Sequence, residues 1–142
     1  MPNPNIKPGD SKVQRDAHEH IRKELESRIG LKSGYLDKKR FPINDSYLEV
    51  EGYSRNPNII CQFYARIGDM KSAQVHKVMN DALKLIFIED YEGKTFRKIL
   101  AFIDDKAAKK FVGNGWHGEC LRKYGIEVFV VDISEHVKRE II

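Results

Sequence analysis

Tyr47-Leu48-Glu49-Val50-Glu51-Gly52-Tyr53, the polar turn Ser54-Arg55-Asn56-Pro57-Asn58, and Ile59-Ile60-Cys61-Gln62-Phe63-Tyr64-Ala65-Arg66-Ile67 are the stretch from which the fold is read. Both outer runs alternate with the two-residue period of a strand. On the first strand, Tyr47, Glu49, Glu51 and Tyr53 are expected on one face, with Leu48 and Val50 on the other. On the second, Ile59, Cys61, Phe63, Ala65 and Ile67 share a face, and Ile60, Gln62, Tyr64 and Arg66 share its opposite. A turn centred near Asn56 sets Glu51 opposite Gln62 and Glu49 opposite Tyr64 in an antiparallel pair. Two acids, an amide, a phenol and a guanidinium then share one patch of sheet.

Next in the chain, Gly68-Asp69 turns into a helix expected from Met70 to Glu89. Val75, Val78, Met79, Ala82, Leu85 and Ile86 make its buried face, while Lys77, Asp81 and Lys84 fall on the outer side. Lys71 lies near the buried azimuth at the helix start, where unpaired amides favour anions. Upstream, a helix is expected from a cap at Asp10 or Ser11 to Gly30. Its stripe is Val13, Ala17, Ile21, Leu25 and Ile29. On a helical wheel Gln14, Glu24 and Arg28 fall inside that stripe, and Glu19, Arg22 and Glu26 outside it. Glu24 either pairs with Arg28 at the margin of the core or leans over a site on the sheet. Between helix and hairpin a short strand is expected from Tyr35 to Phe41, carrying Lys38-Lys39-Arg40 as a solvated run or a phosphate clamp. After the long helix come a strand from Arg97 to Asp104, short helices at Asp105–Phe111 and Trp116–Tyr124, a strand from Ile126 to Ile133 and a last helix at Glu135–Glu140. Both strands have continuous apolar centres, as strands buried on both faces do. The order predicts an α/β domain with one mixed central sheet flanked by helices.

The 142-residue chain suits a single domain over residues 10–142 behind a flexible lead of residues 1–9 that holds three prolines. Apolar residues at 41% and charged residues at 32% match an ordinary globular protein, and no apolar run is long enough to span a bilayer. The N-terminus lacks the apolar core of a signal peptide, so a cytoplasmic location is expected. A net charge of +4 is compatible with a polyanionic partner. Cys61 and Cys120 lie in apolar periodic segments and are expected to be reduced. The histidines and cysteines show no zinc spacing. Gly113-Asn114-Gly115-Trp116-His117-Gly118 follows a helix and lacks Gly-Lys-Ser/Thr, so it is read as a helix-to-helix turn rather than a phosphate loop, with Trp116 and His117 able to touch a ligand.

From Ser11 to Ile133 the order of elements resembles the PD-(D/E)XK nuclease superfamily, whose fold is restriction-endonuclease-like with an α-βββ-α-β core. The strands Leu48–Tyr53 and Cys61–Arg66, with the helix beginning Lys71-Ser72-Ala73-Gln74, are similar to its metal-site strands and following helix. The resemblance implies Glu51 as the first acid of the motif, Gln62 in the place of the second, and Glu24 as the acid of the first helix. Tyr64 stands where the motif has lysine, and Lys71 or Lys77 would reach in from the helix instead, Lys71 fitting the wheel better. Glu51 and Gln62 would hold Mg²⁺ or Mn²⁺ for phosphodiester hydrolysis. Arg66, Lys38, Lys39 and Arg40, with Lys106, Lys109 and Lys110, would contact the backbone of a nucleic acid, DNA first among the expected partners. A homodimer is the assembly implied. The substitutions at Gln62 and Tyr64 equally suit an inactive relative that binds nucleic acid or protein. An unrelated α/β domain with Glu49 and Glu51 on a solvated face is the third reading. Convergence of Glu24, Glu51 and Gln62 would favour the active reading, and their failure to converge would leave only this third one.

Overall fold

The computed structural model describes residues 12–141; the expected lead at residues 1–9 and the helix cap at Asp10 or Ser11 lie outside them. The elements are α1 (Lys12–Arg28), β1 (Asp37–Ile43), β2 (Ser46–Arg55), β3 (Asn58–Tyr64), α2 (Ser72–Glu92), β4 (Arg97–Phe102), α3 (Asp105–Val112), α4 (Trp116–Lys123), β5 (Ile126–Val130) and α5 (Glu135–Ile141). The strands form one five-stranded sheet in the order β1-β2-β3-β4-β5. β1, β2 and β3 make an antiparallel meander, and β4 and β5 add to β3 in parallel. The helix α2 supplies the crossover that a parallel β3–β4 pair requires.

Each face of the sheet is covered. On one side Ile60, Tyr64, Leu100 and Phe102 pack with Val78, Leu85 and Ile88 of α2 and Ala108 and Phe111 of α3. On the other, Ile59, Cys61, Phe63, Ile99 and Ala101 pack with Ala17, Ile21 and Leu25 of α1 and Val137 of α5. The period-two reading of β3 therefore matches the faces it buries. The sheet is the mixed, helix-flanked one expected.

Strict alternation fails in β2. Tyr53 packs into the same core as Leu48 and Val50, not on the face opposite them. The cause is a bulge: Asp37 pairs with Tyr53 but Lys39 with Val50, so β2 carries one more residue than β1 over that interval. An extra residue inverts the alternation beyond it and bends the strand.

Two helix faces also differ from expectation. In α1, Glu24 is exposed and Glu26 is 2% exposed, the reverse of the wheel assignment. The buried face is turned toward His18 and Arg22, and Glu26 accepts a hydrogen bond at 2.8 Å from the Leu36 N–H in the loop that follows. A buried carboxylate persists where such a donor exists. In α2, Asp81 is likewise buried, at 2% exposure, because the Tyr64 hydroxyl donates to it at 2.8 Å. The strand limits shift as well. β1 begins at Asp37 rather than Tyr35, and β3 ends at Tyr64 rather than Ile67. β5 ends at Val130 rather than Ile133 and is half-buried rather than fully buried, because it is an edge strand. The other edge, β1, exposes Asp37 to Arg40 and includes Pro42.

Gly113 to Gly115 is the expected turn between two helices. Gly118 sits so close to it that an added Cβ would lie 2.3 Å from the Gly113 carbonyl oxygen. Arg122 fixes the same turn, donating to the Gly113 carbonyl at 2.8 Å. Gly118→Ala must displace backbone and is expected to cost about 1–3 kcal/mol, read by urea denaturation. An unchanged midpoint would contradict the close approach.

Candidate functional site at a strand fork

The β2–β3 ladder runs from Arg55 opposite Asn58 to Gly52 opposite Cys61 and stops there. Continuing that count places Glu51 opposite Gln62, as the sequence suggests, but side chains replace the backbone rungs. The Glu51 N–H donates to Gln62 Oε1 at 2.9 Å, and the Phe63 N–H donates to Glu51 Oε2 at 3.0 Å. Interior N–H groups need such acceptors when a ladder opens. Gly52 makes the fork compact, since a Cβ there would meet the Phe63 ring at 3.0 Å and Cys61 Cβ at 3.3 Å. Beyond it Tyr64 faces Asp81 instead of Glu49, while Glu49 turns toward Arg40 on β1 at 3.7 Å.

Helix α1 presents His18 and Arg22, one turn apart on the same face, to this fork. His18 Nδ1 lies 3.4 Å from Glu51 Oε2. Arg22 donates to the Glu51 carbonyl oxygen at 3.0 Å, pairs with the Glu19 carboxylate, and lies over the Phe63 ring. Helix α2 brings Asp81 flanked by Lys77 at 3.4 Å and Lys84 at 3.6 Å, with the Lys77 ammonium over the Tyr64 ring.

Burial dominates the electrostatics. It raises the Glu51 carboxyl to about 7, against the opposing pull of Lys77, the Phe63 N–H and Lys38. Burial also lowers His18 to about 4, helped by Arg22, Lys38 and Lys77. At neutral pH the imidazole is therefore uncharged and Glu51 is near the midpoint of its titration. Their contact is not a fully charged ion pair. Tyr64 is held well above its ordinary range by burial and by Asp81.

Of the residues singled out in the sequence, Glu51 and Gln62 meet. Glu24 faces solvent and does not join them, so the three-residue convergence expected of the active reading is not met. Lys71 is exposed at the start of α2, where its N–H is bonded to Gln74 Oε1 at 2.8 Å. It is Lys77 whose charge reaches Glu51. Arg66 is exposed just past β3. On β1, Lys38 is close enough for its charge to act on Glu51 and His18. Lys39 lies near the Phe41 and Tyr53 rings, and Arg40 stacks over Tyr47 at 4.4 Å. Sequence reasoning missed His18, Arg22 and Asp81. The four-residue spacing of His18 and Arg22 was available as a signal; the face they occupy was not.

The donor set does not fit the expected Mg²⁺ or Mn²⁺. Such ions favour several oxygen ligands in near-octahedral geometry. Here one carboxyl faces the fork, it holds its proton unusually well, and the amide oxygen of Gln62 already accepts the Glu51 N–H. Among the described residues no group of three or more His, Cys, Asp or Glu side chains is placed to hold a metal. No helix among them is long and apolar enough to cross a membrane. Compared with family models, curated proteins and solved structures, the chain matches none.

The two shifted groups oppose each other in the pH dependence of stability. Glu51, raised from 4.5 to about 7, contributes stability below pH 4.5 that is lost as pH rises through 7. His18, lowered from 6.5 to about 4, contributes stability above pH 6.5 that is lost as pH falls through 4. Glu51→Gln removes the first effect alone. Relative to wild type, the variant should gain up to about 3 kcal/mol between pH 4.5 and 8, measured by urea denaturation at each pH. Parallel pH profiles for the two proteins would refute a raised Glu51.

Proposed function

We propose that the chain is a restriction-endonuclease-like domain that binds nucleic acid through its backbone phosphates, with the strand fork kept as a structural remnant of a metal site. The element order, a helix, an antiparallel meander, a crossover helix and a parallel strand, supports the fold assignment. The observation that carries the binding reading is the charge around the fork. One partly protonated carboxyl sits among Arg22, Lys38 and Lys77, and the neighbouring edge strand exposes Lys38, Lys39 and Arg40. Arg40 over the half-exposed Tyr47 adds a flat cationic surface beside them. Cations on an edge strand can follow a phosphate backbone without reading its bases. Arg66, exposed beyond β3, is a further candidate contact.

Metal-dependent phosphodiester hydrolysis is the second reading, and the position of Glu51 favours it. Its carboxyl lies where the two strands part, within reach of the charge of Lys77 from the crossover helix. That reading also needs Glu24 and a free Gln62 oxygen at the fork, whereas Glu24 faces solvent and Gln62 Oε1 accepts the Glu51 N–H, so the binding reading ranks first.

Both readings meet one set of assays. Under the binding reading, duplex DNA binds with an affinity that falls as salt rises, and Lys38→Glu with Lys39→Glu and Arg40→Glu weakens it by at least about tenfold. Plasmid nicking with Mg²⁺ or Mn²⁺ is absent, and calorimetry records no metal heat. Nicking that appears with metal and disappears in Glu51→Ala would replace the binding reading with the nuclease. Loss of neither binding nor nicking in any variant would remove the fork and the β1 edge from function.

A further inference from the structure

Past the carboxyl ends of β3 and β4 a cleft of about 540 Å³ opens between the Asp69–Met70 loop and the α3–α4 turn. Ligand clefts in sheets with parallel strands commonly lie at those ends. This one is lined by Met70, Lys106, Lys109, Lys110, Trp116 and His117, with Asp69 the acid beside them. Trp116 is 65% exposed although it is the largest side chain in the protein. It is held in place nonetheless. Its ring stacks on His117 with centroids 4.0 Å apart, and His117 meets the buried Phe111 edge-on. The Gly113–Gly115 turn that carries Trp116 is fixed from below by Arg122 and by the close approach of Gly118. The indole is therefore a positioned platform on the surface, with His117 behind it.

The three lysines are exposed, and none is ion-paired with an acid among the described residues. A flat aromatic surface with unneutralised ammonium groups beside it is complementary to one kind of ligand unit: a planar base joined to a phosphate. The cleft volume is in the range that small ligands occupy.

We infer that this cleft binds a nucleotide unit, its base stacked on Trp116 and its phosphate held by Lys109 and Lys110. The unit is either a free nucleotide or one residue of a single-stranded nucleic acid. The site uses no residue of the strand fork; it shares with the fork reading the expectation of a nucleic-acid ligand. A duplex keeps its bases stacked inside, so only an unpaired base can lie on the indole.

Trp116 is the sole tryptophan, so its emission reports on this cleft alone. The wild-type protein is titrated with adenosine monophosphate, with oligo-dA and with duplex DNA. Saturable quenching by oligo-dA is expected, with duplex much weaker. Quenching by the mononucleotide at similar concentration assigns the site to free nucleotides, and quenching by the oligonucleotide alone assigns it to single strands. Lys109→Glu with Lys110→Glu should weaken the quenching ligand at least about tenfold and flatten its salt dependence. Trp116→Ala, a change at an exposed position, should weaken labelled oligo-dA or nucleotide by about tenfold, followed by anisotropy. The β1 charge reversals leave the quenching intact if the cleft acts independently, so a failure of the fork reading is separable from a failure here. Absence of saturable quenching by either ligand, or quenching indifferent to the lysine variants, overturns the inference.

Discussion

The paired hydrogen bonds at the β2–β3 fork are the constraint on which the rest of this structure turns. A sheet that opens must find acceptors for the N–H groups it uncovers, and here Gln62 and Glu51 supply them for Glu51 and Phe63. The opening frees Tyr64 to reach Asp81 on α2 and brings the Glu51 carboxyl next to His18 on α1. Both helical layers are thus tied to the point where the strands separate. An acid at position 62 would put a second negative charge in a site that is 4% exposed, whereas an amide accepts the same N–H with no charge to desolvate.

That account gives Gln62 a structural reason to be present before any chemistry is considered. It also explains how one carboxyl can sit among several cations without being strongly ionised. Water is largely excluded from Glu51, and the cost of removing it from a charged carboxylate exceeds the attraction of Lys77 and Lys38. Arg22 and Lys77 are held by Glu19 and Asp81, and Lys38 on the exposed β1 edge is the cation left to face an external anion. A comparable arrangement recurs at Trp116, where Lys106, Lys109 and Lys110 beside an exposed ring make no ion pair among the described residues.

How much of this could be read in the sequence depends on how local its cause is. The faces of β3 follow from strict alternation, and the opposition of Glu51 and Gln62 follows from a short turn. The glycine-rich turn before Trp116 was legible because its neighbours on both sides are helical. The β2 bulge was not, because an added residue leaves no mark in composition beyond a glycine nearby. The Ala17-Ile21-Leu25 stripe of α1 showed that a helix exists without showing which flank turns inward. That flank was settled by Leu36, whose N–H reaches Glu26, and Asp81 was settled by Tyr64 in the same way. Buried acids are chosen by partners elsewhere in the chain, and single-helix patterns do not contain those partners. The site was legible as a pair, Glu51 and Gln62, and illegible as a neighbourhood.

The two open borders of the sheet are protected by different means. On β1 a run of cations and Pro42 discourages a second strand from docking. On β5 the strand is only five residues long, and Arg97 grips Glu127 across the last pair while Arg28 and Arg97 stand over Phe129. Sheet growth between molecules is therefore obstructed at either end, by charge on one side and by brevity and side-chain cover on the other. Unpaired backbone at these two borders is thus a poor template for an extended intermolecular sheet.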